Sequence, residues 1–184
     1  MFDKIVKLYW KFTSGKVIKK LGSKGENTSI SYPIVVSKPQ NLFIGKNVYI
    51  GPNAWISTYG KVEIKDGTII GPRLKIYTGN HNYNSETLIP YDEITFAKSV
   101  VINENVWIGG DVTILPGVVI EEGAIIGAST VVTKNVPRGA IVGGNPGKII
   151  KHRDLELYDK LKAEGKIYMK EKSKGNLKMI VKEL

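Results

Sequence analysis

Few side chains here can move a proton near neutral pH. The 184 residues include two histidines, His81 and His152, and no cysteine. Imidazole ordinarily titrates at about 6.5, so it can take a proton from a hydroxyl or amine in a transition state. Lack of cysteine excludes disulfides, thiolate nucleophiles and thiolate-ligated zinc, and two histidines fall short of a three-histidine zinc centre. His81 follows Asn80 at the root of a stretch, 82–95, that breaks the surrounding pattern. His152 lies beyond that pattern in Lys148-Ile149-Ile150-Lys151-His152-Arg153 and suits a surface position. A lone histidine is more often structural than catalytic, and of the two His81 is the candidate for a base.

The element that must carry His81 is written in a period of six. Aliphatic anchors run Ile102, Ile108, Ile114, Ile120, Ile126 and Val132, and the fourth place after each holds Val106, Val112, Val118, Ala124, Thr130 and Val136. Upstream the same pattern reads Ile44, Ile50, Ile56, then Ile64, Ile70 and Ile76, with an eight-residue step between Ile56 and Ile64 that predicts a bulged corner. Six is neither helical nor strand spacing; a fixed longer repeat predicts a solenoid whose coils share one core. Asn47, Asn53, Asp66, Gly67, Asn105, Gly117 and Gly123 recur between anchors, where a turning chain needs φ > 0 or a tight bend. Each hexad is thus a short strand plus a corner, and three would close a triangle.

Residues 82–95 must leave this coil as a loop. Fourteen residues is long for a connection inside a compact repeat, and such loops are commonly functional. Tyr83, Leu88, Pro90 and Tyr91 give it the means to be ordered, the plain alternative being an insertion without a role. Trp107 and Trp55 each precede an anchor and therefore point outward. Trp107 reads equally as packing against the loop or as the wall of a pocket, and Trp55 as packing on a coil face or a subunit interface.

The hexads, with Val106-Trp107-Ile108-Gly109-Gly110 through Gly144-Asn145-Pro146-Gly147-Lys148, resemble the hexapeptide-repeat acyltransferases, most closely the polysaccharide and lipopolysaccharide O-acetyltransferases. The resemblance covers about Phe43 to Arg153. It implies an all-β fold, a left-handed parallel β-helix; the hand comes from the resemblance, because crossovers are generally right-handed. It further implies direct transfer of acetyl from acetyl-CoA to a sugar hydroxyl, His81 acting as base and N–H groups near Gly109 and Gly110 meeting the oxyanion. Matching positions assign Asn80, Tyr83, Asp92 and Trp107 to the acceptor, and Trp107, Gly110, Ala128, Thr133, Lys134, Lys148 and Lys151 to coenzyme A. Asp92 and Glu93 are guesses for a group orienting His81. The family places sites between the subunits of a homotrimer and needs no metal. Ser129 stands where Gly is commoner, while Thr133-Lys134 stays intact. Residues 82–95 contain no Arg and the N-terminal helix is short, so the acceptors of the maltose and galactoside enzymes do not carry over. A cell-envelope glycan or its precursor is the expected acceptor. N-acetylation of an amino sugar is the alternative, and a non-catalytic β-helix scaffold the alternative from another class.

Charge falls on the flanks. Residues 25–150 hold ten Lys/Arg and ten Asp/Glu; residues 1–24 hold seven against one, and 151–184 ten against six, which accounts for the net +10. No helix-turn-helix, zinc-finger or aromatic RNA-binding signature accompanies them, so nucleic acid is not expected as a partner. Residues 1–24 read as an amphipathic basic helix, with Ile5, Leu8, Tyr9 and Phe12 at helical spacing. Its preferred role is a cap on the open first coil, and its alternative a peripheral contact with the inner face of a membrane. Residues 25–150 form the repeat domain and 151–184 a basic helical extension, with Leu155, Tyr158 and Leu161 on one helix face, broken near Gly165. No apolar run approaches membrane-spanning length and lysines interrupt the start, so a cytoplasmic address is expected.

Overall fold

A computed structural model describes residues 2–178 and 180–183. Helix α1 (Phe2–Ile18) precedes a stack of short strands, and helices α2 (Leu155–Ala163) and α3 (Tyr168–Ser173) follow it. The parallel strands lie on three faces. Face A stacks Ser23–Lys24, Leu42–Ile44, Val62–Ile64, Val100–Ile102 and Val119–Ile120; face C stacks Ile34–Val36, Ala54–Ile56, Lys75–Ile76, Thr113–Ile114 and Val131–Val132. Face B runs from Ser29–Ile30 through Trp107–Ile108 to Ala140–Gly143, and Lys148–His152 closes its far edge as an antiparallel strand. The chain visits A, B and C in turn, which makes a triangular parallel β-helix.

The six-residue period works by stacking like on like. Ile44 pairs in register with Ile64, Ile64 with Ile102, and Ile102 with Ile120. Ile70, Ile108 and Ile126 align on face B, and Ile76, Ile114 and Val132 on face C. All of these side chains, and the fourth-place residues Val106, Val112, Val118, Ala124, Thr130 and Val136, are buried. Burying each Ile contributes about 1.5–3 kcal/mol before chain entropy is counted.

Corners follow the Asn/Gly pattern. Asn47, Gly67, Asn105 and Gly123 turn from face A to face B with φ of 55, 72, 55 and 69°. From face B to face C the left-handed residues are Asn53, Arg73, Asp111 and Ser129, three of them types the pattern did not single out. Arg73 and Asp111 hold each other across adjacent coils, Nε–Oδ1 at 2.5 Å and Nη2–Oδ2 at 2.6 Å. Glycine just after an anchor has a different cause: a Cβ on Gly71 would stand 2.7 Å from the Gly110 nitrogen, and one on Gly51 2.7 Å from the Gly71 carbonyl carbon. Coils about 4.8 Å apart leave no room for it.

Two features exceed the sequence reading. A coil from Ser23 to Val36 precedes the legible repeat, and its anchor place holds Lys24 where later coils hold Ile. The interruption is more than a loop: Gly79–His81 and Thr95–Ala97 pair antiparallel as a hairpin standing on the edge between faces C and A. The eight-residue step after Ile56 lies on that same edge. There Thr58, fully buried, accepts from the Lys38 N–H at 2.8 Å and donates to the Lys38 carbonyl at 2.8 Å.

Helix α1 caps the first coil, but not with the expected stripe. Ser14 accepts the Ile34 N–H through Oγ at 3.3 Å, and Val17, Ile18 and Leu21 pack on the core. Ile5, Leu8, Tyr9 and Phe12 face away from the prism and are exposed. The helix ends at Ile18 rather than near residue 24, because Ser23 already begins face A. Helix α2 matches expectation, capped by the Asp154 carboxylate on the Leu157 N–H at 3.0 Å and stopped before Gly165. Tyr158 fastens it, donating to Glu122 Oε1 at 2.8 Å and accepting from Asn105 Nδ2 at 3.1 Å, while Lys162 pairs with the same Glu122 oxygen. Burial and the neighbouring Glu122 carboxylate push the Tyr158 hydroxyl up to about 12. Beyond α2 the chain doubles back along face B: Ile167 lies against Gly67, and Lys172 Nζ stands 5.9 Å above the Tyr49 ring.

Candidate active site

The hairpin overhangs the edge between faces C and A, and beneath it lies a cleft of about 380 Å³. Asn80, His81 and Tyr83 form its upper side; Leu115, Pro116 and Thr133, from the next two corners, form its lower side. His81 lies flat on Tyr91, ring centroids 3.9 Å apart and planes 10° from parallel. Stacking of this kind fixes the plane of the imidazole, which lines the cleft. Among the described residues no carboxylate hydrogen-bonds the ring, so neither Asp92 nor Glu93 orients it. The sequence reading counted Tyr91 only as ballast for the loop, since stacking partners ten residues apart leave no mark in a period of six.

Asp92 shapes the hairpin. Buried beneath it, the carboxylate accepts the Ile94 N–H at 2.9 Å and the Asn82 amide at 2.6 Å. Desolvation acts to raise its pKa, but the Ile94 N–H, the Asn82 amide and the Ser85 hydroxyl together hold it below the usual carboxylate value. Its acceptor role therefore reaches the cleft only through Asn82, which lines it. Phe96 and Lys98 line the cleft as well, and the sequence reading missed them because they lie where the register resumes. Gly117 turns its corner at φ 87° against the Lys98 side chain.

The other assigned residues gather elsewhere. Gly109, Gly110 and Ala128 lie on the edge between faces B and C, one side of the prism, roughly 15 Å, from the hairpin edge. Gly109 spends its N–H on the Ile126 carbonyl at 2.8 Å; among the described residues the Gly110 N–H makes no backbone bond, so of the pair only Gly110 has a donor to offer. Trp107 projects from face B into a second cavity, about 460 Å³, roofed by α2 and the start of α3, and does not meet His81 within this chain. Lys148 and Lys151 lie on the antiparallel edge strand, and Lys134 follows Thr133 at the hairpin edge. His152 is exposed on that outer strand opposite Ala140, away from the cleft. Among the described residues no group of three or more His, Asp or Glu could hold a metal ion.

His81 thus offers a base to whatever enters the cleft over Leu115, Pro116 and Thr133. The bacterial transferase hexapeptide (six repeats) model matches residues 99–134. Galactoside O-acetyltransferase of Escherichia coli is 33% identical over 139 residues, spanning 74% of this chain and 68% of the relative. The chain belongs to the hexapeptide-repeat acetyltransferases. YJL218W of Saccharomyces cerevisiae is 37% identical over 137 residues, 74% of this chain and 69% of its own. The hexapeptide-repeat acetyltransferase VCA0836 of Vibrio cholerae, solved with acetyl coenzyme A, superposes with TM-score 0.70 at 28% identity, covering 76% of each chain. Membership makes the chain an acetyltransferase.

Proposed function

We propose that the protein is an O-acetyltransferase that moves acetyl from acetyl-CoA to a hydroxyl of a cell-envelope glycan or its precursor, in the cytoplasm, as a homotrimer. His81 in the cleft carries the reading. Its imidazole takes the hydroxyl proton as the sugar oxygen forms a bond to the acetyl carbonyl carbon; the carbon–sulfur bond then breaks and coenzyme A leaves as thiolate, reprotonated by the imidazolium. The Gly110 N–H meets the oxyanion between these steps. Base and oxyanion donor stand on different edges of one prism, so the complete site pairs the hairpin edge of one copy with the Gly110–Ala128 edge of a second. Cyclic packing of three copies makes three such sites. Exposed Tyr83, Leu88, Ile89 and Phe96 on the hairpin favour burial against that second copy. Asn80 and Tyr83 face the acceptor, Thr133 and Lys134 meet the pantetheine arm, and Lys148 and Lys151 the phosphates.

The test is release of coenzyme A thiol across a panel of sugar hydroxyl and sugar amine acceptors, together with light scattering. Turnover with hydroxyl acceptors by a species of three chains is expected. Turnover with amines alone would make it an N-acetyltransferase, no turnover with any acceptor would leave a scaffold, and an active monomer would overturn the shared site.

A further inference from the structure

Helix α1 carries apolar residues on two opposite sides. At about 100° per residue, Ser14, Val17 and Ile18 face the prism, whereas Leu8, Phe12, Ile5 and Tyr9 span an arc of about 100° on the other side. Those four are 59–69% exposed. Lys4 and Lys11 border the arc on one flank, and Lys16 lies at its C-terminal end, its Nζ 4.2 Å above the Phe12 ring. A helix apolar on both sides is covered on both sides in its working state.

Charge identifies what covers the outer one. Residues 1–24 hold seven lysines and one aspartate. The C-terminal segment, doubling back along face B to Tyr49, brings six more lysines and only two glutamates, between 166 and 183, toward the same end of the prism. The C-terminal basic flank thus runs toward the end that α1 caps as far as Tyr49 of the second coil, and apolar Leu177, Ile180 and Val181 beyond it are exposed. A second copy docked stripe to stripe would set lysines against lysines, at a cost rather than a gain. An anionic bilayer offers acyl chains to the stripe and phosphates to its borders. We infer that α1 lies in the interfacial layer of an anionic phospholipid membrane, stripe inward, and holds the first-coil end of the prism against it. This inference stands independently of the acetyl-transfer reading, because none of its residues lines the cleft.

The experiment is co-sedimentation of the full chain with vesicles of phosphatidylcholine alone or mixed with phosphatidylglycerol. Binding to the mixed vesicles only, weakened by salt, is the expected result. Leu8→Asp with Phe12→Asp should lower partitioning at least about tenfold. Lys4→Gln with Lys11→Gln should lower it about 25-fold, about fivefold per lysine. Melting should match wild type in both, since the altered side chains are exposed. Three results would each overturn the inference: no binding to either vesicle, equal binding to both, or wild-type binding by the Leu8/Phe12 pair. Lipid-free self-association that Leu8→Asp with Phe12→Asp abolishes would assign the stripe to a second copy instead.

Discussion

Replacing Gly109 by alanine separates a glycine that the coil needs from one that chemistry needs. A Cβ on Gly109 would stand 2.7 Å from the Ala128 nitrogen and 2.9 Å from its Cα, both backbone atoms of the next coil. Neither can yield without stretching the ladder bond from the Gly109 N–H to the Ile126 carbonyl, 2.8 Å long. At Gly110 the nearest atoms are ring carbons of Pro72 at 3.4 Å, an ordinary contact. Overpacking of the first kind costs about 1–3 kcal/mol. For a chain of this length that lowers Tm by about 2–12 °C. Gly110→Ala should melt within about 1 °C of wild type, yet weaken acetyl-CoA binding or turnover by crowding the one N–H left open. Thermal melting by circular dichroism with acetyl-CoA titration reads both. Equal melting of the two variants would refute the close-approach reasoning, and a Gly110→Ala enzyme with unchanged kinetics would remove Gly110 from the site.

His81→Ala should lower turnover about 10²- to 10⁴-fold with acetyl-CoA affinity nearly unchanged, while His152→Ala does little; steady-state kinetics with calorimetry checks both. Tyr91→Ala should cost about 2- to 10-fold in kcat, the worth of one aromatic stack, and Tyr91→Phe should restore it. Lys134→Ala or Lys151→Ala should raise KM for acetyl-CoA with kcat kept, as loss of a contact equal in ground and transition states requires. Although desolvation acts to raise the Glu122 pKa, hydrogen bonds from Lys162 and Tyr158 and the charges of Lys162 and Arg138 together depress it. Its stabilising contribution is therefore present above its unfolded value of 4.5 and lost as pH falls through the lower folded value. Glu122→Gln should melt below wild type at neutral pH and converge with it in acid; a constant gap at every pH would show that charge is not what pins α2.

The period of six alone determined the stack of coils, because each anchor must return to the same column of a shared core, and a residue that returns every turn leaves its mark in sequence. Asn47, Asn53, Gly67, Asn105 and Gly123 were legible as corners for the same reason, left-handed φ being cheap for few residue types. Composition narrowed the base to two histidines. Tertiary structure decided what has no period. Tyr91 meets His81 only because Gly79–His81 and Thr95–Ala97 pair across the loop. Whether Asp92 served the acceptor or the hairpin depended on which N–H groups the loop brought to it. The Ile5–Phe12 stripe reads as a buried face at helical spacing. Its outward direction was fixed by Ser14 and Val17 docking on the first coil, a contact between segments that spacing within one helix cannot contain. The separation of His81 from Gly110 is also a property of the prism: neighbours in sequence pattern become occupants of different edges once three hexads close a triangle.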